Sequence, residues 1–330
     1  MAKTVDEAFE KFMDEKVNPS LSEIESAFKS QNYVIDIIDS YDGNDFFHLC
    51  KEYNEQFGSF ARGTKKKKID DIDLMFGIMG LNASYDGTDP WYNVRIYGDK
   101  YDDQQKKCMD ENGLLNSRLV LNKFRDKLAD TYTTSDNPSR NGEAVTLSLT
   151  NWTIDVVPCF FTKMDENGRC FYLIPNGCGN WQKTDPTIDR RLVKSLDKKH
   201  NRNLLPLIRL CKKWNEVKKI KTLPSYLLET ILVNYARDCK SLSPWIDSNF
   251  LDALEYLQEN ISKPVYDMKK IQGDISFCLG PLDRLKIAQR AQDDINKIYD
   301  AQEAEFDNED HEKAINLWRE IFGQEFPTYG

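Results

Sequence analysis

The feature that most constrains this chain is a change of period near residue 186. Before it, short runs rich in β-branched and aromatic residues recur: IDDIDLMFGIMGL at 69–81, YNVRIY at 92–97, AVTLSL at 144–149, then WTIDVVPCFF and CFYLIP. Such runs read as strands. After it, the stretches 188–220, 223–240, 248–260, 281–304 and 311–322 carry apolar residues at helical spacing, and almost no strand signal remains. Helical spacing also marks 4–17, 20–56 and 114–130. The expectation is a mixed α/β lobe over 1–185 and a helical lobe over 186–330, with the first helices bracing both. The break is placed at NGCGNWQKTDPT, 176–187.

Composition narrows the function classes. Of 330 residues 40% are hydrophobic, enough for a core, which excludes wholesale disorder. Lys plus Arg number 45 against 54 Asp plus Glu, a net charge of −9. An acidic chain is a poor wrapper for long nucleic acid, which is bound by neutralising many phosphates. A small nucleotide remains within reach, through a local basic pocket or through metal ions held by carboxylates. Mean hydropathy is −0.63, and no apolar run approaches the roughly 20 residues of a membrane span. The charged start, MAKTVDEAFEKFMDEK, lacks the apolar stretch of a secretory signal. A cytoplasmic protein without a membrane partner is expected. Eight cysteines without a CxxC pair and three histidines leave zinc-site spacing absent, so the cysteines read as reduced, packed thiols.

The chemistry concentrates in Gly58-Ser59-Phe60-Ala61-Arg62-Gly63-Thr64 followed by Asp71-Ile72-Asp73. The first part imitates a P-loop, but a P-loop needs Lys before Ser/Thr, a strand before the loop and a helix after it. Here the order is reversed. On a strand, residues i and i+2 face one side, so Asp71 and Asp73 project together while Ile72 points to the core. Their Cα atoms lie roughly 6–7 Å apart on a regular strand, a spacing suited to a pair of divalent ions. Asp70 faces the other way, as a solvated residue at the strand entry. Asp155 is the sole charge inside the apolar run TIDVVPCFF, where a lone carboxylate is costly unless paired or metal-bound. If its strand lies beside that of Asp71 and Asp73, three carboxylates meet. By itself Asp155 also fits a strand-edge acid.

GSFARGT, then IDDIDLMF, then WTIDVVP resemble the polymerase-β-like nucleotidyltransferase superfamily, with its Gly-Ser turn, DxD strand and later third acid. LLPLIRLCKKWN, LPSYLLETILVNYA, GNWQKTDP and LWREIFGQEFP resemble the second domain of oligoadenylate synthetases and of the cGAS/DncV-like nucleotidyltransferases. The resemblance covers most of the chain from about residue 50 onward. It implies an α/β nucleotidyltransferase lobe with a mixed sheet, a second helical lobe, and an active site in the cleft between them. It further implies synthesis of a cyclic di- or trinucleotide second messenger from ribonucleoside triphosphates, ATP or GTP, in anti-phage defence. Asp71, Asp73 and Asp155 would hold two Mg²⁺ ions, with Mn²⁺ able to substitute, and Asp155 would also accept the proton of the attacking hydroxyl. Gly58 and Ser59 would cradle the triphosphate, Lys212 would reach phosphate, Ser225 would offer a helix start to an anion, and Tyr226 would stack on a base.

Taken without the resemblance, Lys212 reads as a surface lysine, Ser225 as a helix cap and Tyr226 as a half-buried aromatic. Lys65–Lys68 reads as a solvated loop. A linear oligonucleotide product and a catalytically silent nucleotide-binding protein are the alternatives. At the C-terminus, Ala314, Leu317, Trp318 and Ile321 form a docking stripe. Residues 324–330 are expected to be exposed, with Gly330 open to a ubiquitin-transfer-like partner, as the resemblance implies for some relatives.

Overall fold

The computed structural model describes residues 1–43, 45–133, 138–220 and 223–330. The described chain divides into two compact units. One comprises 22–62 and 69–190 and holds the sheet; the other comprises 1–21, 63–68 and 191–330 and is helical.

In the sheet unit the strands are β1 (Glu55–Phe57), β2 (Asp71–Gly77), β3 (Ser84–Tyr85), β4 (Ile96–Tyr97), β5 (Ser139–Asn141), β6 (Ala144–Ser148), β7 (Thr153–Phe161), β8 (Tyr172–Pro175) and β9 (Trp181–Thr184). Among the described residues seven of them join one sheet in the order β1-β2-β7-β6-β5, with β8 on β7 and β9 on β8, while β3 and β4 pair separately. The β2–β7 pair is parallel and its other ladders are antiparallel. Alternation decides what each face meets. Ile72, Leu74, Phe76, Ile154, Val156, Val145 and Leu147 enter the main core of this unit. On the opposite face Met75, Val157, Cys159 and Ala144 build a smaller apolar cluster with Tyr172 and Ile174.

The helices are α1 (Val5–Phe12), α2 (Leu21–Asp39), α3 (Gly58–Arg62), α4 (Asp103–Lys106), α5 (Ser117–Ala129), α6 (Pro186–Lys199), α7 (Leu204–Val217), α8 (Ser225–Asp238), α9 (Ile246–Asn260), α10 (Pro281–Gln302) and α11 (His311–Phe322). The helical unit packs around Trp214, Phe250, Trp318 and Phe322. Phe9 of α1 meets Trp318 edge-on with ring centroids 4.7 Å apart. The first helix therefore packs inside the helical unit.

Several expectations are corrected. The helix expected over 20–56 ends at Asp39. Asp42 Oδ1 accepts the Leu49 N–H at 2.8 Å and Gly43 has φ +67°, so a turn replaces further helix before β1. The strand expected at 92–97 shrinks to Ile96–Tyr97, with Val94 bridging Trp181. The helix expected over 188–220 is two, because Asn201 and Arg202 adopt left-handed φ values of 53° and 69°. Lys65–Lys68 is not simply solvated: the Lys67 N–H donates to Val17 O at 2.8 Å and Lys66 Nζ meets Glu216 at 3.0 Å. The C-terminal segment is not wholly exposed either. Phe326 is 1% exposed in the aromatic core, and the Gly330 N–H donates to Ala2 O at 3.2 Å.

Candidate active site

Strand register assembles the acidic face. In the parallel β2–β7 ladder Asp71 stands opposite Thr153 and Asp73 opposite Asp155. Neighbouring strands are about 4.8 Å apart, so Asp73 and Asp155 share one rung, with Asp71 two residues before on the same face. The opposite face of these residues is core, which leaves the register no freedom to slip: a one-residue shift would bury the acids and expose Ile72 and Ile154. All three carboxylates are half-buried. Further along the same face the apolar Met75, Val157 and Cys159 take over, so the acids occupy the first residues of both strands.

Two neighbours shape the carboxylates. Thr146, opposite Asp155 in the β6–β7 ladder, donates its hydroxyl to Asp155 Oδ1 at 2.6 Å. Gly58 opens α3 with φ +70°, and a Cβ there would lie 1.7 Å from Asp73 Oδ2. The glycine is thus demanded twice, by a backbone conformation that side chains resist and by the carboxylate occupying the side chain's space. Ser59 follows in the first turn of α3, half-buried. Below it Arg62 and Asp189, both buried, form an ion pair at 3.5 Å. Arg190 ties α6 to β1 through Gln56 O and Glu55, each at 2.9 Å.

The donor set is entirely carboxylate oxygen, the hard chemistry that suits Mg²⁺, and the space above Gly58 is kept for Asp73. Among the described residues no group of three His, Cys, Asp or Glu side chains is gathered closely enough to hold a metal ion as it stands. The fit is one of register and donor chemistry, not of a closed ligand set.

The three candidates in the helical unit are placed differently. Lys212 is no surface lysine: it is 7% exposed on α7, paired with Glu229 of α8, and donates to Thr64 O at 3.1 Å. Glu229 is 1% exposed. The segment Gly63–Lys68, which separates α3 from β2 in sequence, is held in this unit by Lys212 and by Arg209 Nη1, 2.8 Å from Gly63 O. Ser225 is exposed at the first position of α8, and Pro224, not Ser225, occupies the cap position. Tyr226 is half-buried. Its hydroxyl donates to Asp267 Oδ1 at 2.9 Å and accepts from Lys269 Nζ at 2.7 Å, and that ammonium also lies 4.2 Å from the ring centroid.

A probable cyclic nucleotide synthase of Bacillus cereus (strain VD146) is 35% identical over 277 residues, covering 83% of this chain and 82% of that protein. The chain belongs to the cGAS/DncV-like nucleotidyltransferase family. It is accordingly an enzyme, a nucleotidyltransferase of cyclic oligonucleotide synthesis. No protein-family model matches the chain. Solved structures agree on the fold. Escherichia coli MS115-1 CdnC, in complex with HORMA-deltaN, superposes with a TM-score of 0.71 at 16% identity over 98% of both chains. The same protein with ATP gives 0.68 at 16% identity over the same shares. The Vibrio cholerae DncV cyclic AMP-GMP synthase gives 0.58 at 14% identity over 83% of this chain and 69% of its own. A cGAS/DncV-like chain thus has an α/β nucleotidyltransferase lobe and a helical lobe, as the sequence leads one to expect. Among the described residues no helix is long and apolar enough to cross a membrane.

Sequence reasoning missed Thr146 and Glu229. Thr146 carries no motif, and only the β6–β7 register shows that it faces Asp155. Glu229 had one available signal, an acid that shares the run LLETILV of α8 with five apolar residues and Thr230.

Proposed function

We propose that this cGAS/DncV-like enzyme joins ribonucleoside triphosphates, ATP or GTP, into a cyclic di- or trinucleotide that serves as a second messenger in anti-phage defence. The observation that carries the reading is the shared rung of Asp73 and Asp155, with Asp71 on the same face. CdnC has been solved with ATP and DncV is a cyclic AMP-GMP synthase, which supports purine nucleotides as substrates.

Asp71, Asp73 and Asp155 would hold Mg²⁺ ions, which supply Lewis-acid polarisation of the α-phosphate and charge neutralisation of the leaving pyrophosphate. The remaining work belongs to the chain. Gly58 and Ser59 bind the donor triphosphate through backbone N–H groups and a hydroxyl. Asp155 accepts the proton of the attacking ribose hydroxyl, and Thr146 orients the carboxylate by occupying Oδ1. Ser225 binds an anionic group and Tyr226, its hydroxyl held by Asp267 and Lys269, stacks on a base. Such an enzyme works in the cytoplasm, where its substrates are made.

The test is incubation with all four triphosphates and Mg²⁺ or Mn²⁺, followed by mass determination and phosphatase treatment of the product. A phosphatase-resistant oligonucleotide with stoichiometric pyrophosphate is expected, lost in Asp71→Asn/Asp73→Asn by about 10³-fold or more. A phosphatase-sensitive product, or nucleotide binding without pyrophosphate release, would refute it.

A further inference from the structure

The helical unit contains a cavity of about 290 Å³ between α1 and the turn that opens α9. Its wall combines two kinds of residue. Asp6, Glu10 and Asp247 supply carboxylates, and Phe9, Met13 and Trp245 supply apolar and aromatic surface. Asp247 is 8% exposed, and among the described residues no cation is paired with it. Burial pushes its carboxyl above the usual range, and the nearby charge of Asp6 adds to the effect. Trp245, by contrast, is 56% exposed, a large indole left in water beside buried negative charge.

The basic residues around the cavity are engaged elsewhere. Lys11 of α1 turns to Glu7 and Met1 O. Arg209 reaches Asn18 in the cavity wall, but its other contact goes to Gly63 O. A desolvated carboxylate without a counter-ion is costly, and an aromatic face beside it attracts positive charge. The carboxylates are not gathered closely enough for a metal ion. Separate acids and an aromatic wall suit a cation with an apolar body.

We propose that this cavity binds an organic cation, an ammonium or guanidinium group carried on an aliphatic stem. Its volume lies near the lower end of ligand pockets and is ample for a basic side chain or a short amine. The proposal is independent of the nucleotidyl-transfer reading.

Calorimetric titration of the full chain at constant ionic strength tests it with three probes: agmatine, spermidine, and a capped Gly-Gly-Arg-Gly-Gly peptide. Saturable binding is expected on the order of 0.1–1 mM, weakened about tenfold or more by Asp247→Asn and by Trp245→Ala. Trp245 is exposed, so its variant keeps the test valid if Asp247→Asn folds poorly. Binding of the free amines alone assigns a metabolite as the source, and binding of the peptide assigns a basic side chain of a protein; either supports the proposal. No saturation by any probe up to about 10 mM, or equal binding by Trp245→Ala, overturns it.

Discussion

The acidic face of the sheet and the core of the helical unit handle charge differently. On the sheet, backbone pairing brings like charges together: Asp73 and Asp155 share a rung, with Asp71 beside them, and all three keep contact with solvent. In the core of the helical unit, several buried charges are met by opposite ones. Lys212 meets Glu229, Lys218 meets Asp294 at 2.8 Å, and Lys269 meets Asp267 at 3.4 Å. Gathering like charges costs stability. Cancelling opposite charges holds helices in place. The contrast sets the acids of the proposed site against ion pairs that keep neighbouring helices in position.

The sharpest way to break that contrast is Lys212. If it is structural, Lys212→Met strands Glu229 in the core and lowers stability by about 3–5 kcal/mol. The double variant Lys212→Met/Glu229→Leu then recovers much of the loss, as chemical denaturation would show. If Lys212 also contacts phosphate, the double variant folds but its KM for triphosphate rises. Full recovery of both stability and KM would remove Lys212 from the nucleotide site.

On the sheet side, Gly58→Ala should be nearly as severe. Its methyl group would contest the position of Asp73 Oδ2, 1.7 Å away, in a backbone conformation at φ +70°. Turnover should fall about 10²-fold with the fold retained. Wild-type pyrophosphate release by Gly58→Ala would mean that Asp73 is not held where the chemistry needs it.

A smaller effect tests a place where the helical unit brings acids together. Burial, with repulsion from Asp247 and Asp6, pushes the Glu305 carboxyl up to about 7. A raised carboxyl means that the folded chain binds the proton more tightly than the unfolded one. That stability is fully present at low pH and is lost as pH rises from the ordinary carboxylate range through about 7. His311 Nδ1 lies 3.8 Å from Glu305 Oε1. Glu305→Gln should therefore raise stability at pH 8 by roughly 1–2 kcal/mol, after allowing for the side chain's partial contact with water, and leave pH 5 nearly unchanged. Melting curves at the two pH values check this, and an unchanged pH slope would count against it. The mildest change is Thr146→Val. Losing one hydrogen bond to Asp155 should slow turnover about 5–10-fold, corresponding to roughly 1 kcal/mol, with little change in melting temperature. Unaltered turnover would limit Thr146 to packing.

Much of the sheet unit was legible in advance because strand alternation is local. The pattern Asp71-Ile72-Asp73 and the lone acid in TIDVVP announce which side chains share a face before any partner strand is known. The helical unit was legible as helices but not as contacts. Lys212 looks like any exposed lysine at helical spacing, and nothing local reveals that Glu229, seventeen positions on, meets it in the core. The same limit explains the overlong helix expected over 20–56, whose Ser-Tyr-Asp-Gly turn was overridden by the apolar spacing around it.

By itself, then, the sequence determined the α/β and helical character of the two parts and the shared strand face of Asp71 and Asp73, since each rests on period, composition or a short motif. Tertiary structure alone decided that Asp73 faces Asp155 rung for rung, that Thr146 holds Asp155, that Gly58 is shaped around Asp73, and that Lys212 is neutralised by Glu229. The physical reason is range. Periodicity is set by each residue's own backbone geometry, whereas register, burial and charge pairing depend on residues that come together only when distant strands and helices pack.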